Sequence, residues 1–192
     1  MPTPSRRPRA DAGRNRARVL EVAAHLFTER GGEVQMADVA RTAGVGIGTV
    51  YRHFPTRQAL VEAIAEQRFL EILGFARTMC EKAASGREAV RTLLEHIGQV
   101  HEDGRALSRV IESTLGNTAP RGPVQAELRE LGDTLIARGT ADGTLRQDAT
   151  FDDLYMLVGA LATVARANIG DWHRFIDITL AGLEPRTDPA SP

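Results

Sequence analysis

Residues 38–54 read Asp38-Val39-Ala40-Arg41-Thr42-Ala43-Gly44-Val45-Gly46-Ile47-Gly48-Thr49-Val50-Tyr51-Arg52-His53-Phe54. Met36, Val39, Ala40 and Ala43 recur at helical spacing, and Asp38 stands in the first turn, where a carboxylate favours the exposed N–H groups. That helix stops at Gly44. Gly44-Val45-Gly46 is a tight turn, and Ile47 to Phe54 makes another helix that Pro55 prevents from continuing. The result is a helix-turn-helix: Ala40 and Ala43 permit close approach, and Val39, Val45, Val50 and Phe54 are available to pack the pair. Ile47, Gly48, Thr49, Tyr51, Arg52 and His53 are left near the outer face of the second helix, with Gly46 just before it. The N-terminal end of such a helix is where base edges are met. Thr, Arg and His donate to phosphates, and Gly48 admits close backbone approach.

Ahead of this motif, Val19, Leu20, Val22, Ala23, Leu26 and Phe27 predict a helix from Arg14 to Arg30, ended by Gly31-Gly32. Residues 1–13 combine Pro, Arg and small residues without apolar periodicity and read as a disordered basic arm. Behind the motif, Thr56 is an N-cap for a long helix reaching about Lys82 through Leu60, Ile64, Leu70, Leu73 and Met79. Further helical patterns occupy 87–103, 105–116, 122–141, 151–168 and 171–183, and no segment alternates as a strand does. The fold class is all-α. The expected organisation is a DNA-binding helix-turn-helix domain over 14–57, a helical domain over 58–185, and a disordered tail over 186–192.

Charge divides the chain in the same place. Residues 1–57 carry ten Arg against five Asp or Glu, a balance of +5, whereas residues 58–192 stand at −6 although the whole chain is only −1. The first region is built to meet an anion. Of the 24 basic residues 23 are Arg, a skew that reads as a GC-rich genome and is discounted as evidence of phosphate recognition. Cys80 stands alone, which excludes an internal disulfide or a thiolate zinc cluster and makes a small core residue the simple reading. With neither a long uncharged apolar run nor a secretory signal, a cytoplasmic protein is expected.

Residues 15–60 resemble the DNA-binding region of the TetR family of one-component regulators. The match rests on Ala43-Gly44-Val45, on Gly48-Thr49-Val50-Tyr51-Arg52-His53-Phe54, and on Arg57, Ala59 and Leu60. The resemblance implies that Thr49 meets the DNA backbone or a base, that Tyr51 and His53 contact phosphates, and that Arg57 anchors the next helix to the DNA backbone. It also implies that the helical domain over 58–185 is a ligand-binding and dimerisation domain. Two departures stand out. Gln35-Met36 replaces a Thr pair, removing a hydroxyl cap and a phosphate contact, and the apolar Ile47 replaces a polar residue and suits a thymine methyl. Arg6, Arg7, Arg9, Arg14, Arg16 and Arg18 fit either a minor-groove arm or a solvated one. The Gly44, Gly46, Gly48 spacing is not a nucleotide loop, because it follows a helix and no Lys succeeds Gly48.

In the C-terminal body, Leu94, Ile97, His101, Val110 and Ile111 are candidates for an effector cavity, although a closed core explains the same residues. His96 and His101 lie five apart and do not share a face well, and no ligand set for a metal accompanies them. Leu157, Leu161, Val164, Trp172 and Phe175 are candidates for a dimer interface of the kind the resemblance implies, with a structural Trp172 as the other reading. No cofactor is expected. The chain thus reads as a homodimeric repressor that holds a palindromic double-stranded operator and is released by an unknown small molecule, with the 56–82 helix spreading the reading heads. The other readings are an architectural DNA-binding protein that senses nothing, and an enzyme, for which no nucleophile or metal motif stands out.

Overall fold

The computed structural model describes residues 7–117 and 119–185, with side chains described from Ala12 onward. Its helices are α1 (Arg7–Arg30), α2 (Met36–Ala43), α3 (Ile47–His53), α4 (Arg57–Met79), α5 (Gly86–Asp103), α6 (Arg105–Leu115), α7 (Gly122–Ala141), α8 (Phe151–Ala167) and α9 (Trp172–Gly182). Short 3-10 turns follow α1 (Gly31–Glu33) and α4 (Cys80–Lys82). Among the described residues there is no strand, as the periodicity predicts.

The main difference lies at the N-terminus. α1 begins at Arg7, so the basic arm expected over 1–13 is helical from Arg7 on; residues 1–6, like the tail over 186–192, lie outside the described residues. Elsewhere local chemistry sets the ends. The Thr56 hydroxyl accepts from Ala59 N at 3.0 Å, Ser85 Oγ from Glu88 N at 3.2 Å, and Thr150 pairs reciprocally with Asp153 in a capping box. Asn168, at φ 53°, ends α8 in the left-handed region that Asn tolerates.

The chain forms two compact units. The first comprises residues up to Gln67 together with Ala106–Ala119, and so is larger than the segment expected from the motif alone; the second comprises Arg68–Arg105 with the residues from Pro120 on. In the first, α2 packs on α1 and α3, and Val19, Ala23, Phe27, Val39, Ala43 and Val50 are essentially sealed from solvent. In the second, α5 is central and meets α7, α8 and α9. Two helices there come close because glycines face each other: a Cβ on Gly86 would lie 2.2 Å from Gly139 Cα. Cys80 belongs to this core, where burial pushes its thiol pKa up, the behaviour of a structural cysteine.

Candidate nucleic-acid interface

α2 starts without the hydroxyl cap that its sequence lacks, and a carboxylate takes over part of that work. Asp38 Oδ2 accepts from Gln35 N at 3.1 Å, while Oδ1 accepts from Arg41 Nη2 at 2.6 Å. The bond from the Gln35 backbone, and next to it the Arg41 charge, hold the Asp38 carboxyl below its usual pKa. Met36, Val39, Ala40 and Ala43 are buried. Gly44 then turns the chain at φ 65°, and Val45 N donates to Ala40 O at 3.0 Å, closing the helix end with a conformation that glycine adopts freely.

α3 is pinned from beneath by Val50 and Phe54, which are 0% and 2% exposed. Residues 48 and 52 follow one another at helical spacing on the opposite face, and 47 and 51 stand at the edge between the two faces. There the structure brings Ile47, Gly48, Tyr51 and Arg52 together in the open, with Gly46 exposed beside them and Thr49 and His53 half-buried at the margins. Ile47 and Tyr51 are 44% and 48% exposed, unusual for large side chains that nothing in the protomer covers.

Two α1 arginines also reach this neighbourhood. Arg16 lies over the Phe54 ring, 5.2 Å from its centroid, and the Arg18 guanidinium stands beside the turn, 3.2 Å from where a Cβ on Gly44 would be. Their sequence signal was the row of alternate arginines 14, 16 and 18; it did not indicate that α1 would carry two of them to the helix-turn-helix. Arg57 behaves differently from the other candidates. Its guanidinium is directed inward, to the backbone carbonyls of Gly32 and Val34 and over the Phe27 ring.

The effector candidates divide between the two compact units. Leu94 and Ile97 are core residues of the second unit, 1% and 5% exposed, and His101 on the same helix is also buried, its pKa driven down to about 3 by burial and by the Arg68 and Arg166 charges. Val110 and Ile111 are buried on α6, in the first unit. His96 stacks on Phe75, with ring centroids 3.7 Å apart.

Of the interface candidates, Leu161 and Trp172 are buried in the core of their own protomer. Leu161 is 0% exposed, and Trp172 is 5% exposed with its indole Nε1 donating to Glu102 Oε2 at 3.1 Å. Leu157, Val164 and Phe175 are half-buried against the same core. The apolar side chains left open near them are Tyr155 and Met156 on α8, Ile169 after it, and Ile178 on α9. Periodicity identified the apolar helices but not which stripe the protomer keeps for itself.

Comparison with known proteins agrees with this geometry. Residues 19–64 match the family described as bacterial regulatory proteins of the tetR family, and residues 69–185 match the SbtR-like transcriptional regulator C-terminal domain. The HTH-type transcriptional regulator SAUSA300_2515 of Staphylococcus aureus is 32% identical over 126 residues, 65% of this chain and 67% of that one. The crystal structure of a TetR transcription regulatory protein from Mycobacterium vanbaalenii is 34% identical, with a TM-score of 0.64 over 92% of this chain and 98% of that one. The regulator RolR in complex with resorcinol shares the fold at 22% identity, with a TM-score of 0.62 over 91% and 90% of the two chains. No helix among the described residues is long and apolar enough to cross a membrane. With one family match on the helix-turn-helix and the other on more than half of its length, the chain belongs to the TetR family: it is a DNA-binding transcriptional regulator and not an enzyme.

Proposed function

We propose that this regulator is a cytoplasmic repressor that holds a palindromic operator as a homodimer and leaves it when a small organic effector binds. Its reading surface is the outer face of α3, formed by Gly46, Ile47, Gly48, Thr49, Tyr51, Arg52 and His53. The observation that carries this reading is the pair Gly46 and Gly48. Neither has a positive φ, and a Cβ on either would meet nothing within 4 Å. The protomer's own packing therefore requires neither glycine. Two missing side chains benefit a partner that approaches closely, and the floor of a major groove is such a partner. Around them Thr49, Tyr51, Arg52 and His53 supply donors for phosphates, and Ile47 supplies an apolar contact for a thymine methyl.

Pairing through α8 and α9 would bury Tyr155, Met156 and Ile178, and a two-fold dimer suits a palindrome. Release requires the effector to favour a conformation that fits the operator poorly, since a ligand shifts an equilibrium only by its differential affinity. The effector candidates are Leu94, Ile97 and His101 on α5 in one unit and, as a separate pair, Val110 and Ile111 on α6 in the other. That RolR was solved with resorcinol supports a small organic effector without naming the one used here. The deciding measurement is fluorescence anisotropy of the protein with labelled DNA from upstream of its own gene and with scrambled DNA, across a salt series. Preferential, salt-sensitive binding of upstream DNA is expected. Equal weak binding to that DNA and to a site-selected pool would refute sequence-specific regulation, and an operator affinity that no small-molecule library alters would refute release by an effector.

A further inference from the structure

Arg57 opens α4, and the family resemblance gives its position to a DNA phosphate. In this chain the guanidinium is engaged elsewhere. Nη1 donates to Val34 O, Nη2 donates to Gly32 O at 3.0 Å, and the group lies 4.8 Å from the centroid of the Phe27 ring. The two carbonyls belong to the connection between α1 and α2, a 3-10 turn over Gly31–Glu33 capped by Val34. Gly31 there has φ 60°, Val34 is 1% exposed, and Gln35 follows as the N-cap of α2. Helix ends leave carbonyls without intrahelical partners, and a planar fork of donors satisfies two of them at once while its face rests on an aromatic ring.

We propose that Arg57 is a positioning residue, not a phosphate ligand: it clamps the α1–α2 connection, and with it the start of α2, to the first turn of α4. A single ammonium cannot span two carbonyls and lie flat on a ring, so this role is specific to arginine. The same device recurs in the other compact unit, where Arg138 donates to Cys80 O at 3.0 Å and to Ala83 O, across the 3-10 turn that follows α4. The inference rests on operator binding by this surface but assigns Arg57 a role behind it.

The test compares R57K, R57Q and F27L with the parent, as full-length protein, by anisotropy on a site-selected operator across a salt series and by hydrogen exchange without DNA. R57K should bind about five- to tenfold more weakly, as expected when a reading head is in register only a fraction of the time. Its slope of log affinity against log salt should match the parent's, because no phosphate contact is lost. Exchange over residues 31–40 should quicken in R57K and R57Q, and also in F27L, which leaves the Arg57 charge in place. The proposal is overturned if R57K binds as the parent does, R57Q lowers the salt slope by about 1, the mark of one lost phosphate contact, and exchange is unchanged. Should the parent prefer no DNA at all, the operator reading fails by itself, and the exchange measurement still decides the clamp.

Discussion

Replacing Gly98 by alanine sets two opposed effects against each other, and the structure says which wins. Gly98 lies inside α5, where a glycine costs roughly 0.5–1 kcal/mol relative to alanine, so propensity alone predicts that G98A is stabilising. A Cβ there, however, would stand 2.4, 2.6 and 2.9 Å from Cε3, Cζ3 and Cδ2 of Trp172. Ordinary contact begins near 3.4 Å, so the indole has to retreat by about 1 Å. It is poorly free to do so, being stacked on His173 at 3.6 Å and tethered through Nε1 to Glu102. Overpacking of this kind costs about 1–3 kcal/mol, and weakening the tether adds about 1 kcal/mol. A net loss of about 2 kcal/mol lowers Tm by about 4–8 °C for a chain of this size. The assay is thermal unfolding at fixed protein concentration, followed by circular dichroism and by the emission of Trp172, the chain's single tryptophan. Emission should shift as the indole leaves its site. The control is G74A, at an exposed position of α4 where a Cβ meets nothing within 4 Å, and it should gain about 0.5–1 kcal/mol. A G98A protein as stable as G74A, with unchanged emission, would refute the reasoning.

Replacing operator thymines one at a time by deoxyuridine should weaken parent binding about fourfold at one position per half-site, the worth of one methyl group, and leave Ile47→Ala unaffected there; equal losses in both proteins would remove Ile47 from the contact. M156E and I178E should sediment as folded monomers, whereas Leu161→Ala should cost about 2–5 kcal/mol of protomer stability by opening a cavity; monomeric L161A beside dimeric M156E would reverse that assignment. His101 should make stability depend on pH. Its folded pKa of about 3 lies below the unfolded value near 6.5, so the unfolded chain binds the proton first. Stability is then full above pH 6.5 and this group's contribution declines by up to about 1.4 kcal/mol per pH unit below it; His101→Gln should reduce that slope in urea titrations from pH 7 to 4, leaving the part due to His96, whose pKa burial also lowers.

The helices were legible because their determinants are local. Gly44 needs a left-handed backbone, Pro55 cannot continue α3, and Thr56, Ser85 and Thr150 cap the helices that follow them, all within a few residues of the signal. The outer face of α3 was legible for the same reason, since Val50 and Phe54 fix which side is turned in. The start of α1 was not, because Pro and Arg with little apolar content give the same pattern in an arm and in an exposed helical extension. Nor was the division of α8 and α9 between core and surface. Leu161 and Met156 are both apolar residues on one helix, and only the placement of α5, α7 and α9 against it decides that the first is sealed and the second left 65% exposed.

Arginine shows most clearly where local reading stops. Twenty-three arginines in a chain that binds DNA invite a count of phosphate contacts, yet several are used on the protein's own backbone. Arg57 and Arg138 each bridge the carbonyls of a 3-10 turn, Arg105 Nε donates to Ala165 O at 3.2 Å near the end of α8, and Arg68 donates to Val100 O near the end of α5. These carbonyls lie in the last turn of a helix or just beyond it, where backbone acceptors have spare capacity; those of Val100 and Cys80 also accept the backbone N–H of Gly104 and Ala83. The partner residues are between 23 and 60 positions apart in sequence, so no window along the chain links them. A guanidinium suits the task because it donates in several directions, keeps its charge when partly buried and is more weakly hydrated than an ammonium. The surplus of +5 in residues 1–57 thus overstates what is offered to DNA: Arg57 is engaged internally, and Arg41 is paired with Asp38. Among the described residues, the arginines left for the proposed operator surface are then Arg52 foremost with Arg16 and Arg18 behind it, and the salt dependence they give to binding should be correspondingly shallower than the arginine count suggests.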